Sequence, residues 1–141
     1  MLRILIVEDE PVNREFLLLS LRGLGDCQTA ASGEDAVLAQ QSALEQGLPF
    51  DVVFLDIVLP GMNGLQALEQ LRALEDRFAV PQDRRVPVIV TTGLDDDQTA
   101  SRAFMQGQAL SYMTKPFRPG QIPEELRKLG LIASQVNTDS D

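Results

Sequence analysis

The sequence contains no histidine, and Cys27 is the only cysteine in its 141 residues. The absence of histidine excludes serine or cysteine nucleophiles activated by an imidazole base, metal sites with imidazole ligands, and a phosphohistidine donor. A lone cysteine forms no internal disulfide, which is typical of proteins in the reducing cytoplasm. We therefore expect a cytoplasmic protein that does not use imidazole chemistry.

Basic residues are also scarce, since 12 lysines and arginines stand against 21 aspartates and glutamates, for a formal net charge of −9. Binding to a nucleic-acid backbone requires clustered lysine and arginine, so we expect no direct contact with nucleic acid. The acidic balance favours a cation or a basic partner instead.

The chain also lacks long apolar runs. The first run, Leu2 to Val7, is too short for a signal peptide or a membrane span, and acidic residues follow it at once. We therefore expect no membrane insertion. A chain of 141 residues is long enough for one domain with a substantial core and too short for two of ordinary size.

Short β-rich segments alternate with helical segments along the chain. The predicted strands are Leu2–Val7, Cys27–Ala30, Asp51–Asp56, Val86–Thr92 and Ser111–Thr114. Five helices are predicted. The first has Pro11 in its first turn, the second follows a cap at Ser32 and the third follows a cap at Asn63. The fourth begins at Asp95 or Asp96 and runs to Gly107, and the last runs from Glu124 to Leu129. This alternation predicts an α/β fold, with a parallel sheet covered by helices on both faces.

Polar residues stand at the carboxyl ends of the predicted strands, although the strand interiors are almost wholly apolar. Glu8 and Asp9 follow the first strand, Asp56 ends the third, Thr92 ends the fourth and Lys115 follows the fifth. Open sheets of this class bind ligands outside the carboxyl ends of their strands. We therefore expect these side chains to meet in one cleft.

Three carboxylates in one cleft would repel one another, at a cost of roughly 4 kcal/mol for a pair about 4 Å apart in a medium of effective dielectric near 20. A divalent cation relieves this repulsion, and a set of oxygen ligands suits Mg²⁺ better than Zn²⁺. With Lys115 and the Thr92 hydroxyl alongside, the site is suited to stabilising a transferring phosphoryl group. Asp56 would be its nucleophile, because carboxylates can form acyl phosphates.

These features resemble the response regulator receiver domain of two-component signalling, of the CheY-like single-domain type. The matching segments are Ile6–Pro11, Phe54–Gly64, Pro87–Gly93 and Tyr112–Phe117. The resemblance covers residues 2 to about 130, and it implies a doubly wound, flavodoxin-like sheet of strand order 2-1-3-4-5. We expect a receiver domain at residues 1–131 and a polar, disordered tail at residues 132–141.

The resemblance also implies roles for the residues of the cleft. Asp56 would be phosphorylated by a histidine kinase or a histidine phosphotransfer protein. Mg²⁺ would be held by Glu8, Asp9, Asp56 and the backbone carbonyl of Val58, and Lys115 would contact the phosphoryl group. The Lys115–Pro116 peptide bond would be cis. Such a domain is not a conventional enzyme, although it assists its own phosphorylation and dephosphorylation.

The output of the domain is implied in the same way. Thr92 and Tyr112 would be the switch residues. Phosphorylation would draw the Thr92 hydroxyl inward and allow Tyr112 to move, which would reshape the surface of the fourth helix, the fifth strand and the last helix. That surface would control a downstream protein target.

Two alternatives come from other functional classes. A Mg²⁺-dependent phosphohydrolase of the haloacid dehalogenase type would carry a second aspartate two residues after the nucleophile, where this chain has Val58. A phosphorylation-independent docking module would lack one of the acids, the threonine or the lysine, and this chain has them all. Whether the receiver is a stand-alone protein or part of a longer one stays open.

Overall fold

The computed structural model describes residues 1–93, 98, 101–102, 106 and 108–133. Five strands form one sheet: β1 (Leu2–Val7), β2 (Gly25–Ala30), β3 (Val52–Asp56), β4 (Val88–Thr92) and β5 (Ser111–Thr114). Their order is β2-β1-β3-β4-β5, and all four pairings are parallel. The predicted fold class and strand order are confirmed.

Four α-helices have both of their ends within the described residues: α1 (Pro11–Ser20), α2 (Gly33–Glu45), α3 (Gly64–Arg77) and a C-terminal helix (Gln121–Lys128). A short 3₁₀ helix covers Gln82–Arg84. The helix predicted to begin at Asp95 or Asp96 falls for the most part outside the described residues, as do residues 134–141 of the predicted tail. The division at residue 131 therefore stays a prediction. No helix within the described residues is both long and apolar enough to cross a bilayer.

The sheet separates two apolar cores, because successive side chains of a strand point to opposite faces. In β1, Leu5 and Val7 join a cluster that includes Leu68 of α3. Ile4 and Ile6 join a second cluster with Leu17, Leu21, Phe54 and Leu126, under α1 and the C-terminal helix. The apolar interior of the strands therefore reflects burial on both faces.

Five predicted boundaries need correction. Strand β3 begins at Val52 rather than at Asp51, β4 begins at Val88 rather than at Val86, and the C-terminal helix ends at Lys128 rather than at Leu129. The C-terminal helix begins at Gln121 rather than at Glu124, because Pro123 lies in its first turn, where an N–H group has no intrahelical partner. Strand β2 begins at Gly25 rather than at Cys27. Gly25 pairs with Leu2, and a Cβ atom at this position would lie 2.5 Å from the Leu2 carbonyl oxygen, so the close pairing requires glycine.

The predicted cap of α3 is present. The Asn63 side chain accepts a hydrogen bond from the Gln66 backbone N–H at 2.8 Å, and the Gln66 side chain accepts one from the Asn63 N–H at 3.0 Å. This reciprocal arrangement satisfies two N–H groups at the start of the helix. It fixes the point at which α3 departs from the loop after β3.

A buried ion pair joins α3 to the start of β4. Glu75 is almost fully buried, and its carboxylate accepts hydrogen bonds from Arg72 and from the Val86 N–H, both at 2.7 Å. Arg72 in turn donates to the carbonyl oxygens of Val86 and Gln108. The pair therefore satisfies backbone groups that lie ahead of β4 and β5.

Candidate functional site

The carboxyl ends of β1, β3, β4 and β5 surround an open cleft of about 490 Å³. It is lined by Glu8, Asp9, Glu10, Asn13, Asp56, Val58, Leu59, Pro60, Gly93 and Lys115. Five of these ten residues carry a charge, although they follow strands whose interiors are apolar. The cleft therefore brings together Glu8, Asp9, Asp56 and Lys115, whereas Thr92, at the end of β4, is buried and does not line it.

Asp56 lies at the floor of the cleft, as the last residue of β3, and is only 3% exposed. One carboxylate oxygen, Oδ2, accepts a hydrogen bond from Lys115 Nζ at 2.9 Å. The other, Oδ1, accepts one from the Val58 N–H at 3.0 Å. Both oxygens therefore have a donor, which offsets the cost of burying an ionised carboxylate.

The position of Asp56 is fixed by close backbone packing. The N–H of Gly64, the first residue of α3, donates to the Ile57 carbonyl oxygen at 2.9 Å. A Cβ atom on Gly64 would lie 2.3 Å from the Asp56 carbonyl oxygen. A glycine therefore allows α3 to begin directly against the end of β3.

Lys115 is shared between two carboxylates. Its Nζ lies 2.9 Å from Asp56 Oδ2 and 3.1 Å from Glu8 Oε1. Burial alone would lower the pKa of Lys115, but the hydrogen bond to Asp56 and the charges of Asp56 and Glu8 outweigh it and raise the pKa above its usual value. The side chain is therefore a fixed ammonium. As the resemblance implied, the Lys115–Pro116 peptide bond is cis.

Glu8 is completely buried beside this ammonium. Burial raises its pKa from 4.5 to about 7, the charge of Asp56 adds to the rise, and Lys115 opposes it. Glu8 Oε2 accepts a hydrogen bond from the Glu10 N–H at 3.2 Å. Glu8 Oε1 lies 3.1 Å from Lys115 Nζ. This oxygen is therefore ion-paired with Lys115 but accepts no hydrogen bond from the described residues.

The acidic residues can hold a metal ion. One carboxylate oxygen from each of Glu8, Asp9 and Asp56 lies within 4.8 Å of the other two. The set contains only oxygen donors, and one of its members is Glu8, whose Oε1 accepts no hydrogen bond from the described residues, so it fits a hard divalent cation such as Mg²⁺. Val58, whose carbonyl the resemblance adds to the ligands, lies in the wall of the cleft and is 53% exposed.

The three consecutive acids after β1 have different surroundings. Glu8 is buried, Asp9 is exposed at the cleft, and Glu10 caps α1. Glu10 Oε1 accepts hydrogen bonds from the N–H groups of Val12 and Asn13, at 2.8 and 3.1 Å. This cap was not predicted from the sequence. Its signal was an acidic residue directly before Pro11, the first residue of the helix.

The two predicted switch residues lie on neighbouring strands. Thr92 ends β4, is completely buried, and donates its hydroxyl hydrogen to the Gly93 carbonyl oxygen at 3.0 Å. Apart from the chain neighbours of Gly93, no atom of the described residues lies within 4 Å of a Cβ position on this glycine. Tyr112 lies in β5, half-buried against the core cluster that contains α3 residues.

Comparison with known sequences agrees with the resemblance to a receiver domain. The family model described as the response regulator receiver domain matches residues 4–127. The DNA-binding response regulator MtrA of Mycolicibacterium smegmatis is 34% identical over 126 residues, which are 89% of this chain and 49% of MtrA. The hybrid signal transduction histidine kinase L of Dictyostelium discoideum is 30% identical over 129 residues, which are 91% of this chain and 7% of that kinase. The chain spans about half or less of the length of these relatives.

Solved structures share the fold. The receiver domain of a Pseudomonas aeruginosa PAO1 sensor histidine kinase, with a magnesium ion coordinated in its active site cleft, gives a TM-score of 0.72 at 29% identity. The match covers 92% of this chain and 98% of that one. A chain of the co-crystal structure of the Saccharomyces cerevisiae phosphotransfer protein Ypd1 and the receiver domain of Ssk1 gives a TM-score of 0.75 at 24% identity, covering 99% of this chain and 95% of that one.

Proposed function

Because the chain belongs to the response regulator receiver domain family, we propose that it is a switch activated by phosphorylation of Asp56. The proposal depends on one observation, the set of groups that surround Asp56 at the floor of an open cleft. Its two oxygens face the Lys115 ammonium and the Val58 N–H, and two further acids lie beside it. This arrangement can stabilise the negative charge of the Asp56 carboxylate and the further negative charge of a phosphoryl group attached to it.

The proposed reaction is a phosphoryl transfer from a phosphohistidine to Asp56. A carboxylate oxygen of Asp56 forms a bond to phosphorus, the bond between phosphorus and the donor's imidazole nitrogen breaks, and the imidazole leaves with the bond electrons. The donor has to supply the histidine, since this chain has none. The domain contributes positioning and charge stabilisation, so it assists its own phosphorylation and dephosphorylation without being a conventional enzyme.

Lys115 is the fixed cation of this reaction. It already lies 2.9 Å from an oxygen of Asp56, so it can follow the negative charge to the phosphoryl oxygens with little movement. Mg²⁺ held by the side chains of Glu8, Asp9 and Asp56 and the carbonyl of Val58 would supply a second positive charge to those oxygens. Mg²⁺ would also satisfy the oxygen of Glu8 that lacks a hydrogen bond.

The proposed switch uses Thr92 and Tyr112. The Thr92 hydroxyl, which donates to Gly93 in this structure, would turn to a phosphoryl oxygen, which is a stronger acceptor. Tyr112 would then move into the volume that Thr92 leaves, and the surface of β5 and its neighbouring helices would change. A Ser111–Glu125 hydrogen bond of 2.5 Å joins β5 to the C-terminal helix and supports transmission in that direction.

The proposed phosphodonor is a histidine kinase or a histidine phosphotransfer protein, and the proposed output is a contact with a downstream protein. The complex of Ypd1 with the Ssk1 receiver domain supports the first part, because it pairs a receiver fold with a phosphotransfer protein. The acidic composition supports protein contact rather than direct contact with nucleic acid. We place this function in the cytoplasm and in a receiver domain at residues 1–131.

The test is incubation with acetyl phosphate and Mg²⁺, and separately with a phosphorylated histidine phosphotransfer protein, followed by intact-mass measurement. Wild type should gain one phosphoryl group and Asp56→Asn none. Asp26→Asn, which changes an exposed aspartate on β2, is the matched control and should behave as wild type. A phosphoryl group on Asp56→Asn would show that the acceptor is another residue. No gain by wild type from either donor would favour a phosphorylation-independent docking module.

A further inference from the structure

Arg14, on the first turns of α1, contacts the backbone of the acidic segment that precedes the helix. Its Nη1 donates to the Glu8 carbonyl oxygen at 3.0 Å and, over a longer distance of 3.5 Å, to the Asp9 carbonyl oxygen. The side chain is half-buried. Arg14 belongs to none of the ion pairs found among the described residues. Its guanidinium is therefore directed at the backbone of two proposed metal ligands rather than at their carboxylates.

The contact is significant for Asp9, because burial does not hold its side chain in place. Glu8 is anchored by its own N–H, which donates to the Ala30 carbonyl oxygen at 3.0 Å, and by burial of its side chain. Asp9 is exposed, so the direction of its carboxylate depends on the backbone between β1 and α1. A charged donor held by α1 restrains that backbone, since hydrogen bonds from an ionised group are the stronger kind.

We propose that Arg14 is a positioning residue for the metal site, one that orients the Asp9 carboxylate through the backbone of residues 8 and 9. The inference depends on the proposed function, because it assumes that Glu8, Asp9 and Asp56 bind Mg²⁺. Residues that orient metal ligands commonly change metal affinity by 10- to 100-fold when they are replaced. For a contact through the backbone we expect the lower end of that range.

The charge of Arg14 and its hydrogen bonds should have opposite effects on Mg²⁺ affinity, so a substitution can distinguish the two effects. A positive charge near three carboxylates repels a cation, so removal of the charge alone should strengthen Mg²⁺ binding. Loss of the hydrogen bonds should weaken it. Arg14→Met removes both the charge and the donors and keeps an unbranched side chain, so weaker binding by this variant can come only from lost positioning.

The experiment measures the Mg²⁺ affinity of the unphosphorylated, full-length chain by titration calorimetry. Arg14→Met should bind Mg²⁺ about 10-fold more weakly than wild type. Arg14→Lys keeps the charge but lacks the planar guanidinium, and it should lose about threefold. Arg22→Met removes an exposed arginine just beyond α1 and should leave the affinity unchanged. Urea unfolding of each variant verifies that it is folded.

The outcomes separate this inference from the proposed function. If Arg14→Met binds Mg²⁺ as tightly as wild type, or more tightly, the positioning role is overturned. The proposal that Asp56 is phosphorylated would not be affected by this result. Should Arg14→Met fail to fold, Arg14→Lys decides, because its charge is that of wild type and an unchanged affinity then overturns the inference. A wild-type chain that does not bind Mg²⁺ contradicts both the inference and the proposed metal site.

Discussion

Replacement of Glu8 by glutamine should stabilise the metal-free protein at pH 8 and leave its stability little changed near pH 4.5. The pKa of Glu8 in the folded protein is about 7, against an ordinary 4.5, mainly because the carboxylate is buried and also because it lies near Asp56. Below pH 4.5 the group is protonated in both the folded and the unfolded state. Above pH 7 it is ionised in both, and the folded state bears the full cost of the buried charge.

The sign and the size of the effect follow from the two pKa values. Between pH 4.5 and 7 the folded state keeps a proton that the unfolded state releases, so the free energy of unfolding decreases as the pH rises. At about 1.4 kcal/mol for each pH unit between the two values, the full effect is about 3 kcal/mol. Glu8→Gln removes the titrating group, so its stability relative to wild type should rise by up to this amount.

Urea unfolding of wild type and Glu8→Gln between pH 4.5 and 8, in the presence of EDTA, measures the difference. Glu15→Gln, which removes an exposed carboxylate of α1, is the matched control for the loss of one negative charge. Addition of Mg²⁺ at pH 8 should stabilise wild type more than Glu8→Gln and narrow the gap. A gap between Glu8→Gln and wild type that does not change with pH would refute the assigned protonation of Glu8.

Three further substitutions test the packing and the chemistry of the site. Glu75→Ala removes a buried carboxylate that accepts two hydrogen bonds, and should lower the free energy of unfolding in urea by about 3–5 kcal/mol. Asp76→Ala, at an exposed ion pair, should lower it by less than about 1 kcal/mol. Equal losses in the two variants would contradict this expectation. Gly64→Ala places a methyl group against the backbone of β3 and should lower the free energy of unfolding in urea by about 1–3 kcal/mol or more. Gly93→Ala places its methyl group where no atom of the described residues beyond the chain neighbours is near, and should lower it much less. Val58→Asn places a polar side chain in the cleft wall. We expect the apolar Val58 to hinder an attacking water, so the variant should lose the phosphoryl group about 10-fold faster, below the 10²–10⁴-fold of a fully positioned acid or base. Unchanged decay would reject this expectation.

The fold was largely predictable because its strongest signals are local. The bounds of β1 and β5 agree with the prediction, since both are short apolar or β-prone runs next to clear boundaries. The start of β2 was not predictable from propensity, because Gly25 and Asp26 disfavour strands. Their strand conformation follows from pairing with β1, and that pairing becomes visible only when the sheet is assembled.

The sequence predicted which residues come together in the site better than it predicted the contacts between them. The rule that ligands lie at the carboxyl ends of parallel strands correctly brings Glu8, Asp9, Asp56 and Lys115 together. The sequence does not reveal that Lys115 is shared by two carboxylates or that Glu8 is fully buried. Nor does it reveal the backbone contacts of Arg14. These features depend on side-chain directions that are set by tertiary packing.

The position of β3 in the middle of the sheet has a consequence for how a signal can leave the site. β3 is hydrogen-bonded to β1 on one side and to β4 on the other, with Asp56 in register with Thr91. Backbone amides in such a central strand open to solvent only in the rarest fluctuations of a domain, so they should be among the slowest to exchange hydrogen for deuterium. The residue proposed to be modified therefore belongs to the stiffest part of the molecule. A response to the proposed phosphorylation would then have to be carried by side chains and by the outer strand β5, while the Asp56 carboxylate stays in place.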